Sequence, residues 1–166
     1  KDAKNVKVTV AEGTELTSYA APAIQSNGFT RDLEIVIEGK VRSEGSHAVY
    51  LPQVKTCTVE ATAVIAGLTG IELRAGQLLV KDGAKITASA NFSAAANNNG
   101  TTVDGAAIAV SPHSTDLPIT LTVEGGEFGG AYAVYEKNFQ SDRTAATLLQ
   151  ISGGQVIILD RLNLCA

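Results

Sequence analysis

Ile119-Thr120-Leu121-Thr122-Val123-Glu124-Gly125-Gly126-Glu127-Phe128 is the stretch on which the fold turns. Apolar and polar residues alternate as far as Val123. An acidic residue, two glycines and a further apolar position then follow. Alternation with period two gives a strand with one buried face. Glycine after the strand permits a sharp bend, because it tolerates positive φ. Phe128 then begins another inward-facing strand. A little further on, Ala133-Val134-Tyr135-Glu136 has a different signature: a small residue, an apolar one, a variable one, and a slot that is apolar in other copies.

Both signatures recur. The first is found in Val8-Thr9-Val10-Ala11-Glu12-Gly13, Leu33-Glu34-Ile35-Val36-Ile37-Glu38-Gly39, Leu78-Leu79-Val80-Lys81-Asp82-Gly83 and Leu149-Gln150-Ile151-Ser152-Gly153-Gly154. The second is found in Ala23-Ile24-Gln25-Ser26, Ala48-Val49-Tyr50-Leu51, Gly70-Ile71-Glu72-Leu73 and Ala107-Ile108-Ala109-Val110. Copies of the first lie about 26 residues apart near the N-terminus and about 28 near the C-terminus. In between, Thr58-Val59-Glu60-Ala61-Thr62-Ala63-Val64-Ile65 reads as a degenerate copy. The polar run Asn91-Phe92-Ser93-Ala94-Ala95-Ala96-Asn97-Asn98-Asn99-Gly100 reads as a loop thrown out of one turn.

A turn of this length cannot bury an apolar face alone. Stacked at the strand spacing of roughly 4.8 Å, successive turns bury a continuous column. The reading is therefore one domain over residues 1–166: an all-β, single-stranded right-handed parallel β-helix of about five to six coils. It carries an insertion loop at about 90–104 and an apolar C-terminal segment at 157–166. A β-sandwich would explain the alternation but not the recurring glycine or the two interleaved signatures.

Composition narrows the function classes. The net charge is −4 with no basic cluster, so nucleic-acid binding has no electrostatic footprint. No apolar run nears the roughly 18 residues that would span a bilayer as a helix, so no membrane insertion is expected. Cys57 and Cys165 could pair or both be free, and they show no metal spacing. His47 and His113 are the only histidines, and neither has a cysteine nearby. No cofactor or metal site is expected.

The copies Leu121-Thr122-Val123-Glu124-Gly125-Gly126-Glu127-Phe128 and Ala133-Val134-Tyr135 resemble coils of the pectin-lyase-like parallel β-helix superfamily. More narrowly, they resemble repeat-rich β-helical domains of bacterial surface proteins, many from gut species. The resemblance runs from about Val6 to Val156. It implies secretion or display on a bacterial surface. Relatives of this kind include polysaccharide lyases, glycoside hydrolases, adhesins and phage tailspikes, so the fold alone names no activity.

Two outward columns hold the candidate site residues. Equivalent positions of stacked turns lie roughly 4.8 Å apart. The slot before glycine holds Glu12, Glu38, Asp82, Glu124 and Ser152. It reads either as an ion- or sugar-binding edge or as a solvated turn, and like-charge repulsion favours the turn. The variable slot of the second signature holds Gln25, Tyr50, Glu72, Ala109 and Tyr135, with Tyr132 one corner away. Tyrosines there could stack on sugar rings while Glu72 accepts hydroxyl hydrogen bonds. The expected ligand residues are therefore Tyr50, Glu72, Tyr132, Tyr135 and Glu124, facing a polysaccharide or host glycan. No catalytic residue is assigned. The expected function is a non-catalytic structural or binding module, a spacer or adhesin, outside the cell. The alternative is a fragment of a polysaccharide-active lyase or glycoside hydrolase. The coil ends, with open strand edges, are expected to support self-association.

Overall fold

The structure, a computed structural model, describes residues 4–97, 100–139, 143–152, 156–158 and 162–164. The strands come in sets of three. The first set is β1 (Lys7–Val10), β2 (Glu15–Ser18) and β3 (Ile24–Gln25); the second is β4 (Glu34–Ile37), β5 (Lys40–Ser43) and β6 (Val49–Leu51). Next come β7 (Thr56–Val59), β8 (Val64–Gly67) and β9 (Ile71–Leu73), then β10 (Gly76–Val80) and β11 (Lys85–Ala88). A pair, β12 (Ser93–Asn97) and β13 (Gly100–Asp104), interrupts that fourth set before β14 (Ala106–Val110) completes it. The chain then gives β15 (Ile119–Val123), β16 (Gly126–Gly129) and β17 (Tyr132–Glu136). Last come β18 (Thr147–Ile151), β19 (Val156–Ile158) and β20 (Leu162–Leu164).

Each set deals one strand to each of three sheets. Their orders are β1-β4-β7-β10-β15-β18, β2-β5-β8-β11-β16-β19 and β3-β6-β9-β14-β17-β20. Every pairing within them is parallel, which is compatible with a parallel β-helix. The degenerate copy takes its place as β7 and β8. The apolar C-terminal segment supplies the outermost strands β19 and β20.

The alternation seen in sequence sets the inward columns. Ile35, Cys57, Leu78 and Leu121 share one, Ile37, Val59, Val80 and Val123 the next, all buried. In the second sheet Val41, Ile65, Ile86 and Phe128 form a third column. Ile71 and Ile108, with Leu51, Leu73 and Val110, line the third sheet. These columns make one continuous apolar core. Each such side chain stabilises the fold by roughly 1.5–3 kcal/mol relative to exposure.

The corner glycines have two separate causes. At Gly76, φ is +103° and an added Cβ would lie 1.8 Å from the Val54 carbonyl oxygen. Gly39 needs no positive φ; an added Cβ there would sit 2.4 Å from the Ala11 carbonyl oxygen. Close stacking of neighbouring turns, as well as bending, therefore selects glycine.

Two expectations change. The stretch at 90–104 is not a plain loop: β12 and β13 pair antiparallel, Ala94 opposite Val103, as a hairpin. The column of acidic residues has a different register. Val10, Ile37, Val59, Val80, Val123 and Ile151 align, so the next residues are Ala11, Glu38, Glu60, Lys81, Glu124 and Ser152. Glu12 and Asp82 drop out of the column and Lys81 enters it, because strand pairing rather than distance from glycine fixes the register. Cys57 is buried and free, and Cys165 lies outside the described residues.

Candidate functional site

Pairing in the third sheet puts Gln25, Tyr50, Glu72, Ala109 and Tyr135 in one outward column. Glu72, Ala109 and Tyr135 of that column do not face solvent, while Gln25 stays exposed and Tyr50 half-buried. The hairpin β12–β13, inserted between β11 and β14, folds over those three. Glu72 is 0% exposed and Tyr135 5%.

An ionised carboxylate buried this way costs several kcal/mol unless donors surround it. Glu72 has them. Its Oε2 accepts from His47 Nε2–H at 2.7 Å and from the Val103 backbone N–H at 3.3 Å. Its Oε1 accepts from the Ser111 hydroxyl, and Arg74 Nε lies 3.9 Å away. Arg74 donates through Nη1 to the Tyr50 hydroxyl at 2.6 Å and through Nε to the Ser111 carbonyl at 3.3 Å. The Tyr50 ring lies 5.9 Å from the Arg74 guanidinium carbon and 5.3 Å from the His47 ring. His47 Nε2 faces two acceptors, Glu72 and the Val103 carbonyl at 3.1 Å, so this nitrogen carries the proton.

Val103 is the residue by which the hairpin is held. Its N–H meets Glu72, and its carbonyl accepts from His47 and from the Thr69 hydroxyl at 2.6 Å. In the pair with Ala94, these two backbone groups point away from β12. They would be an open strand edge, and three side chains of the stack satisfy them instead. A second anchor lies at the hairpin base. Phe92 packs on Tyr132 at 4.6 Å and on Tyr135 at 4.8 Å, and the two tyrosines stand 5.5 Å apart. Val103, Ala106 and Ala109 complete this small apolar cluster.

Of the expected ligand residues, four meet at the hairpin: Tyr50 and Glu72 in the polar hub, Tyr132 and Tyr135 in the aromatic anchor. Glu124 lies apart, at the end of β15, paired with Lys81 Nζ at 3.0 Å. Both partners are exposed enough for the pair to contribute at most about 1 kcal/mol. His47, Thr69, Arg74, Val103 and Ser111 were not read as one cluster from sequence. A glutamate in mid-strand, with an arginine two positions on and a long insertion ahead, is the one signal that pointed there.

The order of the hub matters chemically. A nucleophilic serine needs histidine between it and the carboxylate. Here the carboxylate stands between Ser111 and His47, so the Ser111 hydroxyl donates its hydrogen bond directly to Glu72 and no base is placed to activate it. The neighbouring loop does not assemble a triad either. His113 Nδ1 accepts from the Thr115 N–H at 3.1 Å, while Asp116 binds Thr144 and Ala145. Burial and the nearby Arg74 charge hold the His113 imidazole below its ordinary pKa.

No protein-family model, curated protein or solved structure matches this chain.

Proposed function

We propose that this chain is a non-catalytic structural or binding module of a bacterial cell-surface or secreted protein. Its three sheets wind as a right-handed, pectin-lyase-like β-helix of six coils. One observation carries the reading: the face where acid, base and aromatic side chains converge is filled by the chain's own hairpin. Glu72 is 0% exposed and both its oxygens accept from internal donors, as a structural pin requires, so a substrate or sugar hydroxyl does not reach it. The module acts as a spacer or a glycan- or host-facing adhesin. Its open first turn, where the core positions Val8 and Leu16 are 41% and 38% exposed, supports self-association through the coil end.

The test is incubation of the chain with a panel of bacterial and host polysaccharides. Retention on an immobilised glycan and new reducing or unsaturated ends are followed together. Retention without product is expected. Turnover that disappears in Glu72→Gln or Glu124→Gln would replace this reading with that of a polysaccharide-active enzyme. Retention of no glycan would leave the spacer role and remove the adhesin.

A further inference from the structure

The inward columns of the core do not end as they begin. In the third sheet Leu51, Leu73 and Val110 succeed one another along one column, all fully buried, and the next position in register is Glu136. Strand β20 lies beyond it, with Leu164 opposite Glu136. In the first sheet the buried Ile119 is succeeded by Thr147. A carboxyl and a hydroxyl thus occupy core slots where the last turn meets the one before it.

Glu136 is 8% exposed. Unlike Glu72, it accepts no side-chain hydrogen bond among the described residues. Arg143 is the described charge that acts on it, but that guanidinium is engaged elsewhere. Its Nη2 donates to the Leu117 carbonyl at 2.9 Å and to the Thr147 hydroxyl at 3.3 Å, and its Nη1 lies 3.7 Å from Asp116 Oδ1. Lys137, next along the chain, places its Nζ 5.0 Å from the Phe139 ring. From β18 come only Thr147, Leu148 and Leu149, and from β14 Val110. A neutral carboxyl is tolerated in such a slot, whereas an ionised one is penalised. Burial accordingly raises the Glu136 carboxyl from its ordinary value, and the Arg143 charge opposes that rise. The slot opens on a trough of about 530 Å³, so water can deliver and remove the proton while the stack stays folded.

We propose that Glu136 is a proton-controlled latch on the last turn: with its carboxyl neutral, β18 to β20 seat firmly on the turn before, and with it ionised they loosen. Loosening uncovers the outer edges of β15, β16 and β17, at which another strand can pair. Below the ordinary carboxyl value, Glu136 is neutral whether the turn is seated or loose, and it costs nothing. As pH rises from there through the raised value of the seated state, ionisation favours the loose turn. Above that value the loss levels off. The other ionisable groups of this corner act differently. Asp116, held low by Thr144 and Ala145, changes charge in a lower range. His113, held low by burial and by Arg74, gives a slope of the opposite sign.

Hydrogen exchange followed by mass spectrometry tests the latch on the full chain, from about pH 4 to about pH 8, with rates corrected for the intrinsic pH dependence of exchange. The parent is compared with Glu136→Gln and Glu136→Leu. In the parent, protection of β18 to β20 should fall by at least about threefold as pH rises, while β7 to β11 keep theirs. Both variants should hold the protection of the parent's acid form at every pH. If Glu136→Gln does not fold, Glu136→Leu, which repeats the Leu51 and Leu73 slots, decides alone. Protection of the last turn that does not change with pH overturns the proposal. So does a fall that a folded variant retains, or one shared equally by all strands, since either places the titrating group elsewhere.

Discussion

Single residues in this chain are chosen by what stacking allows them to touch. Cys57 sits in an inward column between Ile35 and Leu78, and burial pushes its thiol up to about 12. Native protein at pH 8 should therefore not react with iodoacetamide, and should react once unfolded; labelling followed by mass spectrometry checks this. Gly76 cannot take a side chain without displacing the Val54 carbonyl. Gly76→Ala should lower stability by at least about 1 kcal/mol in urea unfolding. Asp116 shows a third kind of selection. It accepts the Thr144 hydroxyl at 2.6 Å, the Thr144 N–H at 3.0 Å and the Ala145 N–H at 2.9 Å. These bonds, the Thr144 hydroxyl first, hold its carboxyl below the ordinary value. Its contribution to stability is thus full above the unfolded carboxyl pKa and is lost as pH falls through the lower folded one. Asp116→Asn should flatten the acid limb of the stability–pH curve in that range, and leave the curve near neutrality parallel to the parent's.

At the scale of elements, the hairpin is the informative piece. Most of its described side chains are exposed, and it holds to the stack through Val103 and Phe92. The polar hub and the hairpin therefore depend on each other. Glu72→Gln removes a buried charge from between His47, Ser111 and Arg74, and should cost about 3 kcal/mol in thermal or urea unfolding. Replacing residues 93–104 by a short Gly-Ser link should keep the three parallel sheets, seen as an unchanged far-ultraviolet spectrum. It should also free Glu72 to water. In that shortened chain Glu72→Gln should cost less, with a coupling of about 1–3 kcal/mol in the double-mutant cycle. Equal costs in the two backgrounds would mean that the hub stabilises the stack without holding the hairpin.

For the whole molecule, stability is graded along the stack. Each turn packs only on its neighbours, so central turns have two partners and terminal ones have one. The exposure of Val8 and Leu16 in the first turn, against complete burial of Ile65, Ile71 and Ile86, is that gradient in structural form. Native-state hydrogen exchange should find the slowest amides in β7 to β11 and β14, and the fastest among the main strands in β1 to β3. Uniform protection from β1 onward would mean that the first turn is covered, which is the state that association through the coil end would produce.

Sequence alone determined the parallel stacking and the inward columns, because period-two alternation and a recurrent glycine are local and each turn repeats them. It also placed Gln25, Tyr50, Glu72, Ala109 and Tyr135 in one column, since spacing within a repeated signature carries register. The acidic column was misaligned at Glu12 and Asp82, because distance from a glycine does not fix pairing. The fate of the tyrosine column was hardly legible: a mid-strand Glu72 with Arg74 two positions on hints at a buried polar cluster but not at what covers it. Whether Glu72 meets a ligand or Val103 depends on how a hairpin many residues away folds back, and no local pattern encodes that contact. The same holds for Arg143 and Glu136, which only the corner between two successive turns brings to one trough. What repeats along the chain was readable from the chain; what a single insertion or a single corner brings together was decided by the tertiary structure.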